Sequence, residues 1–195
     1  MSLLRRDESV LLVIDTQEGF YGPERMDVDR TAFAQFVERV AWMAGVARSL
    51  EIPVVVTEED PDTNGPTSPL VLARLPAGAP VLVKPVFAAG DNPPIEAALV
   101  ATRRRTVVLA GMETDVCVAH SALSLRERGY HVAVVADALF SPAAAHLHGL
   151  ERLRAEGVEL LSAKEVFYDW TRTLAGVRAL VTADPELEQP PGFSL

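Results

Sequence analysis

TVVLAGMETDVCVAHSALSLRERGYHVAVVAD, residues 106–137, carries the reading of the fold. It opens on an unbroken apolar, β-branched run (106–111), as suits a strand buried on both faces. A helix follows over 114–129, with Val116, Val118, Ala119, Ala122, Leu123 and Leu125 along it. Thr114 or Asp115 is positioned to cap it and Gly129 to end it. A second apolar run, 131–137, is the next strand. Strand, helix, strand with short turns between them is the βαβ unit of a parallel sheet.

The same alternation extends in both directions. VLLVID (10–15) is the first strand, and Phe33, Phe36, Val37, Val40 and Ala44 recur at helical spacing after it. VVVT (54–57) is the second strand. EEDPDTNGPTSP (58–69) is rich in Pro, Gly and Asp and reads as a long loop, of the kind that usually has a function inside a compact domain. After a short helical piece (70–75), PVLVK (80–84) is the third strand, and a proline-opened helix spans 93–104. Beyond residue 137, a helix over 141–157, a strand over 158–161 and a last helix over 171–181 complete the pattern. This predicts one α/β domain over residues 1–183, a three-layer αβα sandwich around a six-stranded parallel sheet of Rossmann-like type. Residues 184–195 read as a mobile tail.

Composition narrows the function classes. The 195-residue chain is 49% hydrophobic and 23% charged, with a mean hydropathy of +0.16, which is ample for a large core. Its formal charge of −9 opposes binding a polyanion, so nucleic acid is an unexpected partner. Arg103, Arg104 and Arg105 end a helix and complement its dipole. No apolar stretch reaches the roughly 20 residues needed to span a bilayer. The N-terminal residues lack a signal-peptide core, and the one cysteine cannot form an internal disulfide. A membrane association is not expected, and a cytoplasmic location is.

Three reactive residues stand where strand-like runs stop: Asp15, Lys84 and the only cysteine, Cys117. In an open parallel sheet, ligands bind outside the carboxyl ends of the strands, so these three can converge although they are far apart in sequence. A lone cysteine is more often a small buried hydrophobe than a nucleophile. Cys117, however, falls in the first turn of its helix, where free N–H groups and the dipole favour a thiolate and can hold an oxyanion. Lys84 and Asp15 end runs that must be buried, so they are expected to meet each other. The competing reading is a structural ion pair. A thiol arriving at the same edge favours a nucleophile with a base and a cation.

The stretches LLVIDTQEGF, VLVKPVF and VVLAGMETDVCVAHSALSLRERGYHVAVVADAL resemble the isochorismatase-like cysteine hydrolases over roughly residues 9 to 180. The resemblance implies a catalytic triad of Asp15, Lys84 and Cys117. It also implies a cis peptide at Met112–Glu113 that presents the N–H groups of Glu113 and Cys117 as an oxyanion hole. The implied reaction is hydrolysis of a small amide or related C–N bond through a thioester. The alternatives are an isochorismatase-type vinyl ether hydrolase, a branch expected to lack the cysteine, and a non-catalytic scaffold or thiol redox sensor. Metal-containing nicotinamidases carry histidines that are absent before His120 here, so neither a metal nor a cofactor is expected. The loop from Thr57 onward instead resembles the metal-free isochorismatase-domain hydrolases. Members of the family are commonly homo-oligomers.

Around this triad, Phe20, Glu58, Phe87 and Met112 are candidate substrate contacts, the aromatics as pocket walls for a flat or apolar substrate. His120 lies one helical turn beyond Cys117 and points along the helix, so it is a poor base. His146 and His148 face different directions and are poor joint metal ligands. Asp137 is expected to hold loop backbone.

Overall fold

The computed structural model describes residues 3–195. Six strands, β1 (Ser9–Ile14), β2 (Val54–Glu58), β3 (Val81–Val83), β4 (Thr106–Met112), β5 (His131–Phe140) and β6 (Glu159–Leu161), form one sheet in the order β3-β2-β1-β4-β5-β6. All five pairings are parallel. The chain winds outward from β1 in one direction and from β4 in the other. The topological switch point therefore lies between β1 and β4, and open sheets of this kind bind ligands there, outside the carboxyl ends of the strands.

Eight helices are placed around this sheet: α1 (Arg30–Ser49), α2 (Pro61–Asn64), α3 (Pro69–Leu72), α4 (Pro93–Ala101), α5 (Ala119–Glu127), α6 (Ala145–Ala155), α7 (Ala163–Thr171) and α8 (Leu174–Ala183). Strand alternation sorts the core into two apolar layers. Leu11, Val13, Val54 and Val56 pack with Phe36, Val40 and Val46 of α1 and with Val166, Phe167 and Trp170 of α7. Val10, Leu12, Ile14 and Val55 pack on the other face with Ile95 and Leu99 of α4 and Val118, Ala122 and Leu125 around α5. The expected three-layer sandwich is what forms. None of these helices is long and apolar enough to cross a membrane.

Local chemistry starts the helices. Asp29 caps α1 by accepting from Thr31 N and Ala32 N, Asn92 caps α4, and Ser162 with Glu165 makes a capping box at α7. Gly111, near the end of β4, has φ +129°, and a Cβ there would stand 2.0 Å from Ile14 O, so no side chain fits between β1 and β4 at that point.

Several boundaries differ from the sequence reading. The helix expected over 114–129 begins as a π turn, Thr114–Val118, before α5, and neither Thr114 nor Asp115 caps it. Instead, Thr114 Oγ1 lies 2.9 Å from His146 Nδ1, and Ser141 Oγ donates to Asp115 Oδ1 at 2.6 Å. The loop over 58–69 contains the short helix α2. The last helical stretch is two helices, α7 and α8, separated by Arg172 at φ +64°.

Residues 184–195, expected as a mobile tail, lie against α1. Leu187 is fully buried, its carbonyl accepts from Trp42 Nε1, Phe193 packs edge-on against Trp42, and Arg39 donates to Pro191 O. Isolated residues such as Leu187 and Phe193 carry no periodic signal, although together they cover an apolar patch on α1.

Candidate active site

Asp15, Lys84 and Cys117 come together at the carboxyl edge of the sheet. Lys84 Nζ stands 3.0 Å from Asp15 Oδ2 and donates to Cys117 Sγ at 3.4 Å and to Val86 O at 2.8 Å. Asp15 and Lys84 are fully buried and Cys117 nearly so. Lys84 follows the exposed edge strand β3, and its side chain reaches inward. The loop after it folds back to supply Val86 O.

Two further residues complete the constellation. Thr57, at the end of β2, donates through Oγ1 to Asp15 Oδ1 at 2.6 Å. Cys117 donates its S–H to Glu59 Oε2 at 3.1 Å, and the same oxygen lies 3.7 Å from Lys84 Nζ. Glu59 is held by its backbone: its N–H donates to Gln17 Oε1 at 2.7 Å and its carbonyl accepts from Gln17 Nε2 at 3.0 Å. Sequence reasoning missed Thr57, Glu59 and Gln17. The available signal was strand parity, because 55 and 57 share one face of β2, residue 59 continues that alternation just past its end, and Val55 shares an apolar cluster with Cys117.

The electrostatics follow from burial. Desolvation pushes the Asp15 carboxyl above the usual carboxylate range, against the opposing pull of Lys84 and Thr57. Burial also acts to lower Lys84, but Asp15, Cys117 and Glu59 outweigh it and hold the ammonium above its ordinary value. The Cys117 thiol is pushed up by burial and by Asp15, with Lys84 pulling against them. The expectation of a thiol already lowered by its helix terminus is therefore corrected. Burial and the neighbouring carboxylates favour the thiol form, with Sγ bonded to Glu59 Oε2, so a base is called for if the sulfur is to attack.

The ligating atoms of Asp15, Glu59 and Cys117 lie within 4.8 Å of one another, the spacing of a small metal cluster. Lys84 Nζ already stands within 3.7 Å of all three side chains' ligating atoms, so an ammonium occupies the place a cation would take.

A protein-family model described as the isochorismatase domain matches residues 9–165, which contain every residue of this constellation. The chain belongs to the isochorismatase-domain family. Among its relatives, isochorismatase domain-containing protein 2 of Xenopus laevis is 35% identical over 176 residues, covering 85% of this chain and 80% of that one. The probable hydrolase YcaC of Escherichia coli (strain K12) is 30% identical over 185 residues, covering 91% of this chain and 86% of its own. Its solved structure, described as an octameric hydrolase of unknown specificity, superposes with a TM-score of 0.81 at 26% identity, covering 96% and 94% of the two chains. A structure described as the MAR1 ribonuclease of Caenorhabditis elegans has a TM-score of 0.81 at 25% identity, covering 100% and 98%.

This isochorismatase-family hydrolase has the cis peptide expected at Met112–Glu113. Of the candidate substrate contacts, Phe87 is 53% exposed beside His120, with ring centroids 6.0 Å apart, and Phe20 is half-buried next to Tyr21. Glu58 Oε1 accepts from Thr67 N at 2.7 Å and Thr67 Oγ1 at 2.8 Å, so it braces the loop, and Met112 is fully buried in the core. The Glu113 carboxylate accepts from Tyr21 OH at 2.9 Å. His120 is on the surface, away from a Cys–His pairing. Asp137 accepts from Ala163 N at 2.7 Å and faces Arg39, so it fixes backbone at the start of α7.

Proposed function

We propose that this protein is a cysteine-nucleophile hydrolase that cleaves a small amide or related C–N bond through a thioester. The observation that carries the reading is a buried ammonium, Lys84 Nζ, between the Asp15 carboxylate at 3.0 Å and the Cys117 sulfur at 3.4 Å. A structural ion pair requires no thiol there, whereas a nucleophile with its base and counter-charge requires all three.

Asp15 takes the Cys117 proton as the sulfur attacks the carbonyl carbon, and Lys84 stabilises the carboxylate and the developing thiolate. The backbone N–H groups of Glu113 and Cys117 receive the oxyanion. Asp15 then returns the proton to the leaving amine, and the same carboxylate activates water to hydrolyse the thioester. Phe20 and Phe87 form the walls that a substrate meets first. A reactive nucleophile in this fold is supported also by a relative, YcaC from Pseudomonas aeruginosa, described with covalent acrylamide, a reagent that alkylates nucleophiles. Its structure superposes with a TM-score of 0.78 at 26% identity.

The ribonuclease described for the C. elegans neighbour is not carried over. A chain of charge −9 with two carboxylates at the reacting sulfur repels a phosphodiester. We further infer a homo-oligomer, as described for the octameric E. coli relative. Val81, Val83 and Phe87 expose apolar surface along the β3 edge, which such an assembly would cover.

The test is a panel of small amides and ureides assayed for ammonia or amine release, with intact mass spectrometry to trap an acyl adduct on Cys117. Turnover that disappears in Cys117→Ala and in Asp15→Asn is expected. Turnover unchanged in Cys117→Ala would overturn the proposal.

A further inference from the structure

The structure assigns Glu59 a role as a specificity-determining residue: it selects a substrate that carries a cationic nitrogen, such as an ammonium or amidinium group, close to the scissile carbonyl. This rests on Cys117 being the nucleophile.

The argument begins with which groups still have bonding capacity. The Lys84 ammonium has three N–H donors, and its three close partners are Val86 O, Asp15 Oδ2 and Cys117 Sγ. Closed to solvent and turned toward these three, it offers no exposed donor to a substrate carboxylate. Asp15 is sealed behind it, with Oδ1 taken by Thr57. Glu59 is different. Its side chain is 26% exposed, whereas Asp15 and Lys84 are closed to solvent and Cys117 is 4% exposed. It is the charged group of this constellation that an incoming molecule can reach.

Its placement is firm. Gln17, itself fully buried, clamps the backbone of Glu59 from both sides, and Asn64 Nδ2 donates to the same carbonyl at 2.9 Å. A carboxylate on a clamped backbone acts as a preorganised acceptor, so a partner that binds it meets little ordering cost. To reach the sulfur, a substrate must also displace the S–H bond to Glu59, which frees an acceptor that a cationic N–H group fills.

Charge counting gives the sign. Lys84 is paired with Asp15 inside the site at 3.0 Å, which leaves the exposed Glu59 carboxylate as the charge an incoming group meets. A carboxylated substrate would bring a second negative charge beside Glu59, whereas a cation would complement it.

Thiol-directed reagents of matched shape test this without knowledge of the natural substrate. A methanethiosulfonate reacts when the Cys117 sulfur attacks its sulfenyl sulfur. A new S–S bond forms, methanesulfinate leaves with the bonding electron pair, and the thiol proton passes to Asp15, so no external oxidant is needed. Cys117 is the only cysteine, so intact mass reports its modification alone. Rates are measured for the cationic 2-aminoethyl, anionic 2-sulfonatoethyl and neutral methyl reagents, and each is divided by its rate with 2-mercaptoethanol.

The wild-type protein is expected to favour the cationic reagent over the anionic one by about tenfold or more, an electrostatic effect that weakens with salt. Glu59→Gln, close to isosteric, is expected to bring the ratio within about threefold of unity, and Glu59→Asp to retain the preference. A wild-type ratio near one, a preference for the anion, or a ratio unchanged in Glu59→Gln would overturn the proposal. The neutral reagent separates the two claims. If it fails to label folded Cys117, the nucleophile reading falls and the role of Glu59 falls with it. If it labels normally without charge selectivity, only the role of Glu59 falls.

Discussion

The Thr57 hydroxyl donates to Asp15 Oδ1 at 2.6 Å while the other carboxylate oxygen, Oδ2, stands 3.0 Å from the Lys84 ammonium. One carboxylate is thus fixed by β2 on one side and by the cation after β3 on the other. The hydroxyl also helps to hold the Asp15 pKa down against desolvation. Thr57→Val keeps the shape and removes the donor. If Asp15 is the proposed base, the acid limb of kcat/KM, where it loses its proton, is expected to move to higher pH, with activity at neutral pH down about tenfold. An unmoved limb would show that Thr57 does not tune the base.

Lys84 and Asp15 are buried together, so removing one charge strands the other. Lys84→Met is expected to cost about 3–5 kcal/mol in urea unfolding at pH 7, and Asp15→Asn/Lys84→Met to recover most of it. If the double variant is as unstable as the single one, the pair is not coupled in this way.

The raised Cys117 pKa has a consequence for stability. Above the ordinary thiol value of about 8.5, the unfolded chain has lost its thiol proton and the folded chain still holds it. The folded state then binds more protons, so stability falls as pH rises, by up to about 1.4 kcal/mol per pH unit from this group. Cys117→Ala lacks that contribution. The stability of wild type relative to Cys117→Ala is expected to be constant below pH 8 and to decline between pH 9 and 10. A constant difference across that range would refute the raised thiol.

Gly149 of α6 lies against the turn that carries Cys117. A Cβ there would stand 2.7 Å from Asp115 N and 2.8 Å from Thr114 C, both backbone atoms that cannot swing aside. Gly149→Ala would raise helix propensity, yet it is expected to destabilise by about 1–3 kcal/mol through overpacking. By displacing the Cys117 turn, it is expected to cut kcat about 100-fold. Full activity in this variant would mean that α6 does not set the sulfur's position.

Leu187 tests the packed C-terminal segment. Leu187→Ala is expected to cost about 2–5 kcal/mol, measured by urea unfolding, with kcat retained because the residue packs on α1 rather than near the sulfur. A change below about 0.5 kcal/mol would mean that the segment contributes no packing.

The strands were legible because each is an apolar run, the central β1 and β4 being buried on both faces, and Asp15, Lys84 and Cys117 were legible because each follows such a run. The choice of Glu58 over Glu59 failed on parity. Adjacent residues on a strand point to opposite faces, and Glu58 turns toward Thr67 while Glu59 turns toward the sulfur. The packed tail was illegible for another reason: its stability comes from Trp42 and Arg39, about 150 residues away in sequence.

By itself, the sequence determined the alternation of strands and helices, the parallel sheet, and the set of residues delivered to one edge. Periodicity and burial are local properties that neighbouring residues encode. Only the tertiary structure decided which side chains meet. Alternation along β1 assigns Asp15 to the α1 face with Leu11 and Val13, but its backbone leaves the strand at φ +45° and ends that alternation. The upward shift of the Cys117 thiol likewise comes from the tertiary structure, because desolvation and the nearby carboxylates outweigh the pull of Lys84.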